Sequence, residues 1–299
     1  MSTIRRWSPP PRERGGGAPL LPLRAAARLR RALLVVALLG LAVLAWGYSG
    51  ATADPIVRRI VVALPGWAAG APPLRVLLLS DLHVGGPDMP PARLARIVGQ
   101  ANALRPELVL IAGDFIGDKP GGRQYADADA VAPLKGLRPR LGIFAVLGNH
   151  DHWRDAGQAR EALTGAGVRL LDNDAAAVGP LAIGGLDDAF TDHADLPRTL
   201  ARLRALPGAK LLLSHSPDPF AGLAPDVTLM LAGHTHCGQI ALPLVGPLST
   251  QSAYGRRYAC GIVREGGKTL IVSAGLGTSI VPLRIGAPPD MWLIELRGP

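Results

Sequence analysis

The chain has 299 residues, 48% of them hydrophobic and 4% aromatic, enough for a sizeable core and too rich in apolar runs for a disordered chain. Its net charge of +9 is uneven: residues 1–31 hold eight arginines and Glu13, net +7, so the rest carries only +2, which excludes reading the charge as a nucleic-acid-binding surface of the main domain. The only cysteines are Cys237 and Cys260, which excludes a disulfide scaffold or a cysteine-based zinc site and leaves open whether the two pair.

The first stretch, "SPPPRERGGGAPLLPL", is rich in Pro and Gly, and residues 1–31 are expected to form a basic, disordered tail. Residues 32–53, "ALLVVALLGLAVLAWGYSGATA", contain no charge. As a helix they would span roughly 33 Å, close to the hydrocarbon thickness of a bilayer. Trp46 and Tyr48 stand at one end, where interfacial aromatics belong. Arginines precede the apolar run, so the tail is expected in the cytoplasm and the following domain, residues 54–299, outside it. The alternative is an exported protein cleaved near Ala53, since Ala51-Thr52-Ala53 has the form of a signal-peptidase site.

Five later segments share one design: "LRVLLLSDLH" (74–83), "ELVLIAGD" (107–114), "GIFAVLGNHD" (142–151), "AKLLLSHS" (209–216) and "VTLMLAGHTH" (227–236). Each is a short apolar run that stops at Asp, Asn or His. Such runs suit strands buried on both faces. Helical patterns at 91–104, 126–137 and 155–167 alternate with the first of them, which predicts an α/β sheet that begins parallel. Beyond, "LAIGGLDD", "YACGIVREGGKTLIVSAGLG" and "MWLIELR" read as strands joined by tight turns, with Gly266-Gly267 as a hairpin turn. The sheet system is therefore expected to become mixed or to split in two.

Polar residues just past strand carboxyl ends gather at one rim in such folds. Here that rim would hold Asp81, His83, Asp114, Asn149, His150, His215, His234 and His236, including five of the seven histidines. Read singly, Gly148-Asn149 is a turn, Asp114 a helix cap and His215 a satisfied core histidine. Read together, so many ionisable groups in one place need a counter-charge. Imidazole and carboxylate without thiolate suit Mn²⁺, Fe or Zn²⁺, and seven donors suit two ions sharing a bridging carboxylate. His152 and His193 read as surface residues and Asp187-Asp188 as a turn.

In order, Asp81-x-His83, Gly113-Asp114, Gly148-Asn149-His150-Asp151, His215 and Gly233-His234-Thr235-His236 resemble the five blocks of the calcineurin-like metallophosphoesterases. "GHTHCGQIALP" and "SAGLGTSIVPLRIGAPPD", after an N-terminal membrane segment, are similar to its membrane-anchored or exported bacterial YkuE/YaeI type. Two departures stand out: Cys237 replaces a usual Gly, and Pro288-Pro289-Asp290 a usual Pro-Pro-Glu. The resemblance implies a four-layer α/β/β/α sandwich of two mixed sheets. It also implies one metal on Asp81, His83 and His236, a second on Asn149, His215 and His234, and Asp114 bridging them. His150 would protonate the leaving oxygen, with Asp151 orienting or charging it.

The expected function is hydrolysis of a phosphate ester at two divalent metal ions, with a phosphodiester of the envelope or a lipid-linked compound as substrate and no nucleic-acid partner. One alternative is cleavage of UDP-2,3-diacylglucosamine, which the arginine distribution disfavours because that substrate is cytoplasmic. A non-catalytic protein-binding scaffold is the alternative of another class, disfavoured because every expected ligand and His150 are present.

Overall fold

A computed structural model describes residues 23–299, so most of the expected basic tail, residues 1–22, lies outside the described residues. The chain divides into two units, one ending at Val43 and the other running from Leu44 to Pro299. Helix α1 (Leu23–Thr52) contains the charge-free stretch as far as Thr52 and already includes Leu23, the first described residue. Within it, Ala25–Thr52 is long and apolar enough to cross a membrane. Its large apolar side chains from Leu33 to Val43 are exposed among the described residues, a surface that water disfavours and lipid would cover.

After α1 the second unit continues through β1 (Ile56–Ala63), β2 (Leu74–Leu79), α2 (Pro91–Ala103), β3 (Leu108–Ala112), α3 (Asp127–Val131), β4 (Ile143–Val146), α4 (Asn149–Gly165) and β5 (Val168–Leu170). Then come β6 (Asp174–Val178), β7 (Leu181–Leu186), α5 (Leu196–Arg204), β8 (Ala209–Ser214), β9 (Leu229–Ala232), β10 (Ala241–Leu242), β11 (Gly246–Pro247), β12 (Gly261–Glu265), β13 (Lys268–Val272) and β14 (Asp290–Arg297). One sheet has the order β1-β14-β2-β3-β4-β5 and the other β12-β13-β9-β8-β7-β6, with β10-β11 as a separate small pair. Both are mixed. In the first, β2, β3, β4 and β5 are parallel and β14 runs antiparallel to β2. In the second, β7, β8, β9 and β13 are parallel, with antiparallel β6 and β12 at the edges.

Strand periodicity explains the layering, because alternate side chains take opposite faces. Leu78, Leu108 and Leu110 of one sheet meet Leu211, Leu213 and Leu231 of the other in one buried cluster between the sheets. Their neighbours Leu77, Leu79, Val109 and Ile111 turn outward onto Leu94 and Ile97 of α2 and Leu163 of α4. On the far side Leu212, Met230 and Leu270 pack on Leu200 and Leu203 of α5. This is the α/β/β/α sandwich, and it explains why the strands read as continuous apolar runs: both faces are covered. The predicted Gly266-Gly267 turn closes the β12–β13 hairpin, with both glycines at positive φ (56° and 75°).

Candidate metal centre

Parallel strands of each sheet deliver their carboxyl ends to the same edge. In register, Leu79 pairs with Ile111 and Ile111 with Ala145 in one sheet, and Leu213 with Leu231 in the other. The residues that follow are therefore neighbours. Asp81 and His83 follow β2, Asp114 follows β3, Asn149 follows β4 at the start of α4, His215 follows β8, and His234 and His236 follow β9. All seven are nearly or fully buried.

The turns that carry them are held in disfavoured conformations. Asp81, His83, Asp114, His234 and His236 have φ of 49°, 43°, 56°, 70° and 51°, in the left-handed region that costs a residue with a Cβ about 1–2 kcal/mol. Such local cost persists where surrounding structure over-determines the backbone. Here Asp81 N–H donates to Gly113 O at 3.0 Å, His83 N–H to Asp114 O at 2.9 Å, and Gly277 N–H to Asp81 O at 2.8 Å. Gly113 must lack a side chain: a Cβ there would lie 2.7 Å from His215 Nδ1.

The side chains form two sets joined by one carboxylate. In the first, His236 Nε2 lies 3.4 Å from Asp81 Oδ1 and 3.1 Å from His83 Nε2. In the second, His215 Nε2 lies 3.1 Å from both Asn149 Oδ1 and His234 Nδ1. Asp114 Oδ2 sits between them, 3.3 Å from His83 Nε2 and 3.3 Å from His215 Nε2. The donor atoms of Asp81, His83 and His236 lie within 4.8 Å of one another, as do those of Asp81, Asp114 and His215.

This donor set fits divalent cations. His215 donates Nδ1–H to Ala112 O at 2.7 Å, and His234 donates Nε2–H to Gln251 O at 2.9 Å. In their neutral forms, the two remaining ring nitrogens aim lone pairs at each other, an arrangement that a positive charge between them resolves. Burial pushes the His83 and His234 imidazoles down to about 4 and His236 down as well, keeping these rings in the neutral form that binds metal. Burial would push the Asp114 carboxyl up, but the His215 imidazole outweighs it and holds Asp114 well below the usual carboxylate range. Reciprocally, burial would lower His215, and Asp114 keeps it well above the ordinary value. The buried Asp114 carboxylate thus demands positive charge at this point, which the His215 proton or a cation can supply.

His150 stands beside this centre, its ring edge-on to His83 with centroids 4.7 Å apart. Its Nδ1 lies 3.0 Å from Asp118 Oδ1 and its Nε2 3.2 Å from Ser279 Oγ. The expected pairing of His150 with Asp151 is not formed. Asp151 is buried and accepts from the N–H groups of Asp114, Phe115 and Gly148, all at 2.9 Å, so it fixes the β3 and β4 turns. Burial and the nearby Asp114 charge push its carboxyl up to about 7. Asp151→Ala would leave three buried N–H groups unpaired, and at about 1–3 kcal/mol each the expected loss in denaturant unfolding exceeds about 3 kcal/mol. Asp118→Asn, at a half-exposed side chain, is expected to leave stability unchanged and slow turnover about 10-fold.

Of the other groups, some keep to the sequence reading and some depart from it. His152 is half-buried, not on the surface, and its Nε2 lies 2.8 Å from Asp187 Oδ1, while His193 is exposed and stacks on it. Asp188 is buried and anchors the 188–191 turn through Thr191. Arg284 was not singled out from sequence; its buried guanidinium donates to the carbonyls of Ala274, Gly277 and Ala287 and approaches His236 Nδ1 at 3.3 Å. Burial lowers it to about 10, so it keeps its charge at neutral pH and braces the loop that carries Ser279. Cys237 is disulfide-bonded to Cys260, settling the open pairing, and holds a left-handed backbone (φ 52°), a conformation glycine takes more readily. Asp290 accepts from Ser273 Oγ at 2.8 Å and Arg58 Nε at 2.6 Å, which ties β1 to the same loop.

A cleft of about 300 Å³ opens over Asp114, Asn149, His150, His234 and His236. Its outer walls are Trp153, Phe190, Ile240, Leu248, Ile280 and Val281, and among the described residues no lysine or arginine lines it.

The sequence profile of the calcineurin-like phosphoesterases matches residues 74–238. A transmembrane protein with a metallophosphoesterase domain from Danio rerio is 31% identical over 283 residues, 88% of this chain and 62% of the relative, so the chain spans less than two thirds of that protein. The metallophosphoesterase YkuE of Bacillus subtilis is 32% identical over 69% of this chain and 73% of its own length. Phosphodiesterase YaeI of Escherichia coli K12 is 29% identical over 76% of this chain and 83% of its own.

Proposed function

The chain belongs to the calcineurin-like metallophosphoesterases, and from that membership we propose that it hydrolyses a phosphodiester at two divalent cations on a membrane-anchored domain facing away from the cytoplasm. The single observation that carries this is Asp114 Oδ2, equidistant at 3.3 Å from an imidazole of each set. Asp81, His83 and His236 would hold one ion, Asn149, His215 and His234 the other, and Asp114 both. When bound, such a pair neutralises phosphate charge and raises the acidity of water.

The remaining chemistry rests on the chain's own side chains. His150 carries the acid role: Asp118 at Nδ1 orients the ring, and the Nε2 proton goes to the leaving oxygen. Ser279 Oγ holds that Nε2 in place before substrate arrives. The cleft favours a diester over a monoester on charge grounds. A monoester brings a second negative charge to walls that carry no lysine or arginine among the described residues, whereas a diester brings one charge and a second organic arm for the apolar wall. YaeI's designation as a phosphodiesterase supports the same choice.

Topology has two supports: arginines precede the apolar helix, and the Cys237–Cys260 bond belongs to an oxidising compartment. Both weigh against a cytoplasmic UDP-sugar substrate. In this reading residues 1–31 are the cytoplasmic tail, 32–53 the span and 54–299 the catalytic domain. Two measurements test the proposal. The full chain loaded with Mn²⁺ should hydrolyse a generic aryl phosphodiester faster than the matching monoester; preference for the monoester contradicts the substrate class. A C-terminal reporter active only outside the cytoplasm should be active; activity of a cytoplasm-only reporter overturns the orientation.

A further inference from the structure

We propose that the mouth of the cleft is a lipid-docking surface: the β10–β11 hairpin and the Ile280–Val281 turn sit in a bilayer, so that phosphodiesters resident in that bilayer enter the site from its plane. This rests on the phosphodiesterase reading above for the substrate's chemistry, but the docking itself does not.

The hairpin tip, "LPLVG", places Leu242, Leu244 and Val245 in the open. Leu244 is fully exposed (108%) and is held at φ 65°, a left-handed conformation that Asn, Asp or Gly would take more easily. In water both features are unfavourable at one residue, and together they point to an apolar neighbour outside the chain. Ile280 (66% exposed) and Leu248 (60%) continue the same apolar surface into the cleft, which they line.

What covers this surface follows from its continuity with the end of α1. Arg284 N–H donates to Gly47 O at 2.8 Å, and a Cβ on Gly47 would press on Leu283 at 3.3 Å. One residue on, Ala241 N–H donates to Ile285 O at 2.7 Å, and Leu248 N–H donates to Ile240 O at 3.0 Å. The helix end, the 280–285 turn and the hairpin are thus laterally bonded, one to the next. Trp46 and Tyr48, aromatics of the kind that settle at a membrane interface, lie at the helix end of this row. A bilayer interface that receives Trp46 and Tyr48 also reaches the turn bonded to Gly47 between them. Arg256 lies against Gly246 on the hairpin flank, where a cation suits anionic headgroups.

The test uses the full chain in vesicles of phosphatidylglycerol and phosphatidylcholine. A fluorophore on Leu244→Cys should be quenched by lipids carrying bromine on their acyl chains, and one on Glu161→Cys, an exposed position on α4, should not. Absence of quenching at 244 overturns the proposal. Self-quenching at 244 that rises with protein density, without quenching by bromolipid, assigns the surface to a second copy and overturns it equally. The variant Leu244→Asp/Val245→Asp should lose at least 10-fold in hydrolysis of vesicle-resident phosphatidylglycerol while cleaving a water-soluble aryl phosphodiester as the parent does. Quenching at 244 in a chain that cleaves neither ester would sink the phosphodiesterase reading and leave the docking surface standing.

Discussion

Replacing Asp114 with Ala is expected to abolish hydrolysis and to empty both halves of the centre at once. Asp114 Oδ2 lies 3.3 Å from an imidazole nitrogen of each set, so its loss would remove a ligand from both proposed sites with a single change. Paired cations held there, as proposed, would contribute several kcal/mol of charge stabilisation to the transition state. At about 1.4 kcal/mol per tenfold, the rate should fall on the order of 10³-fold or more. Elemental analysis separates a bridge from an ordinary ligand. His236→Ala, which touches only the first set, should retain about one ion per chain, and Asp114→Ala fewer than one. An Asp114→Ala protein that keeps both ions would show that Asp114 bridges nothing.

His150→Ala is the second large effect, and its signature is opposite. Turnover should fall about 10²–10⁴-fold, the usual contribution of a positioned acid, while metal content stays full. The loss should be smallest with an aryl leaving group acidic enough to depart as an anion, and largest with an alkyl one. The geometry gives this test its edge, since a His150 ring nitrogen also falls within 4.8 Å of donor atoms of His83 and Asp114. If the variant loses an ion, His150 is a ligand. Asp118→Asn shares the direction with a smaller size, whereas Asp151→Ala acts through folding, because its carboxylate bonds three backbone N–H groups and not the imidazole.

These contrasts mark what sequence could and could not tell. Asp81, His83, Asp114, Asn149, His215, His234 and His236 were legible because each stands within a few residues of the end of an apolar run, and strands that end at one edge bring such residues together. The sandwich was legible for the same reason, since doubly covered strands lose their polar alternation. Strand β1 was not, because Arg58 and Arg59 interrupt its apolar pattern and, at the sheet edge, it is largely exposed. The start of α4 was also hidden: a non-helical Asp155 (φ −173°) separates the turn carrying Asn149 and His150 from the periodic stretch that follows.

Partners across long sequence separations were the least legible. Asp118 reaches His150 over 32 residues and Ser279 reaches it over 129, and both lie in loops with no periodicity. Asp151 drew the orienting role from the resemblance, as the neighbour of His150 in the Gly-Asn-His-Asp block. In a helical turn adjacent side chains diverge, which leaves it facing the β3 turn. Arg284 carried no signal except its place in the loop shared with bacterial relatives. Its burial follows from a task chemistry alone does not announce, satisfying carbonyls that no strand pairs.

The central claim is that separate strand ends cage two cations around one shared carboxylate. Its most direct test is elemental analysis of the purified full chain after Mn²⁺ loading and removal of free metal, with phosphodiester hydrolysis measured on the same sample. About two ions per chain, with activity lost and regained in step as a chelator removes and Mn²⁺ restores them, is the expected result. One ion per chain at full activity, or full activity with none, would contradict it.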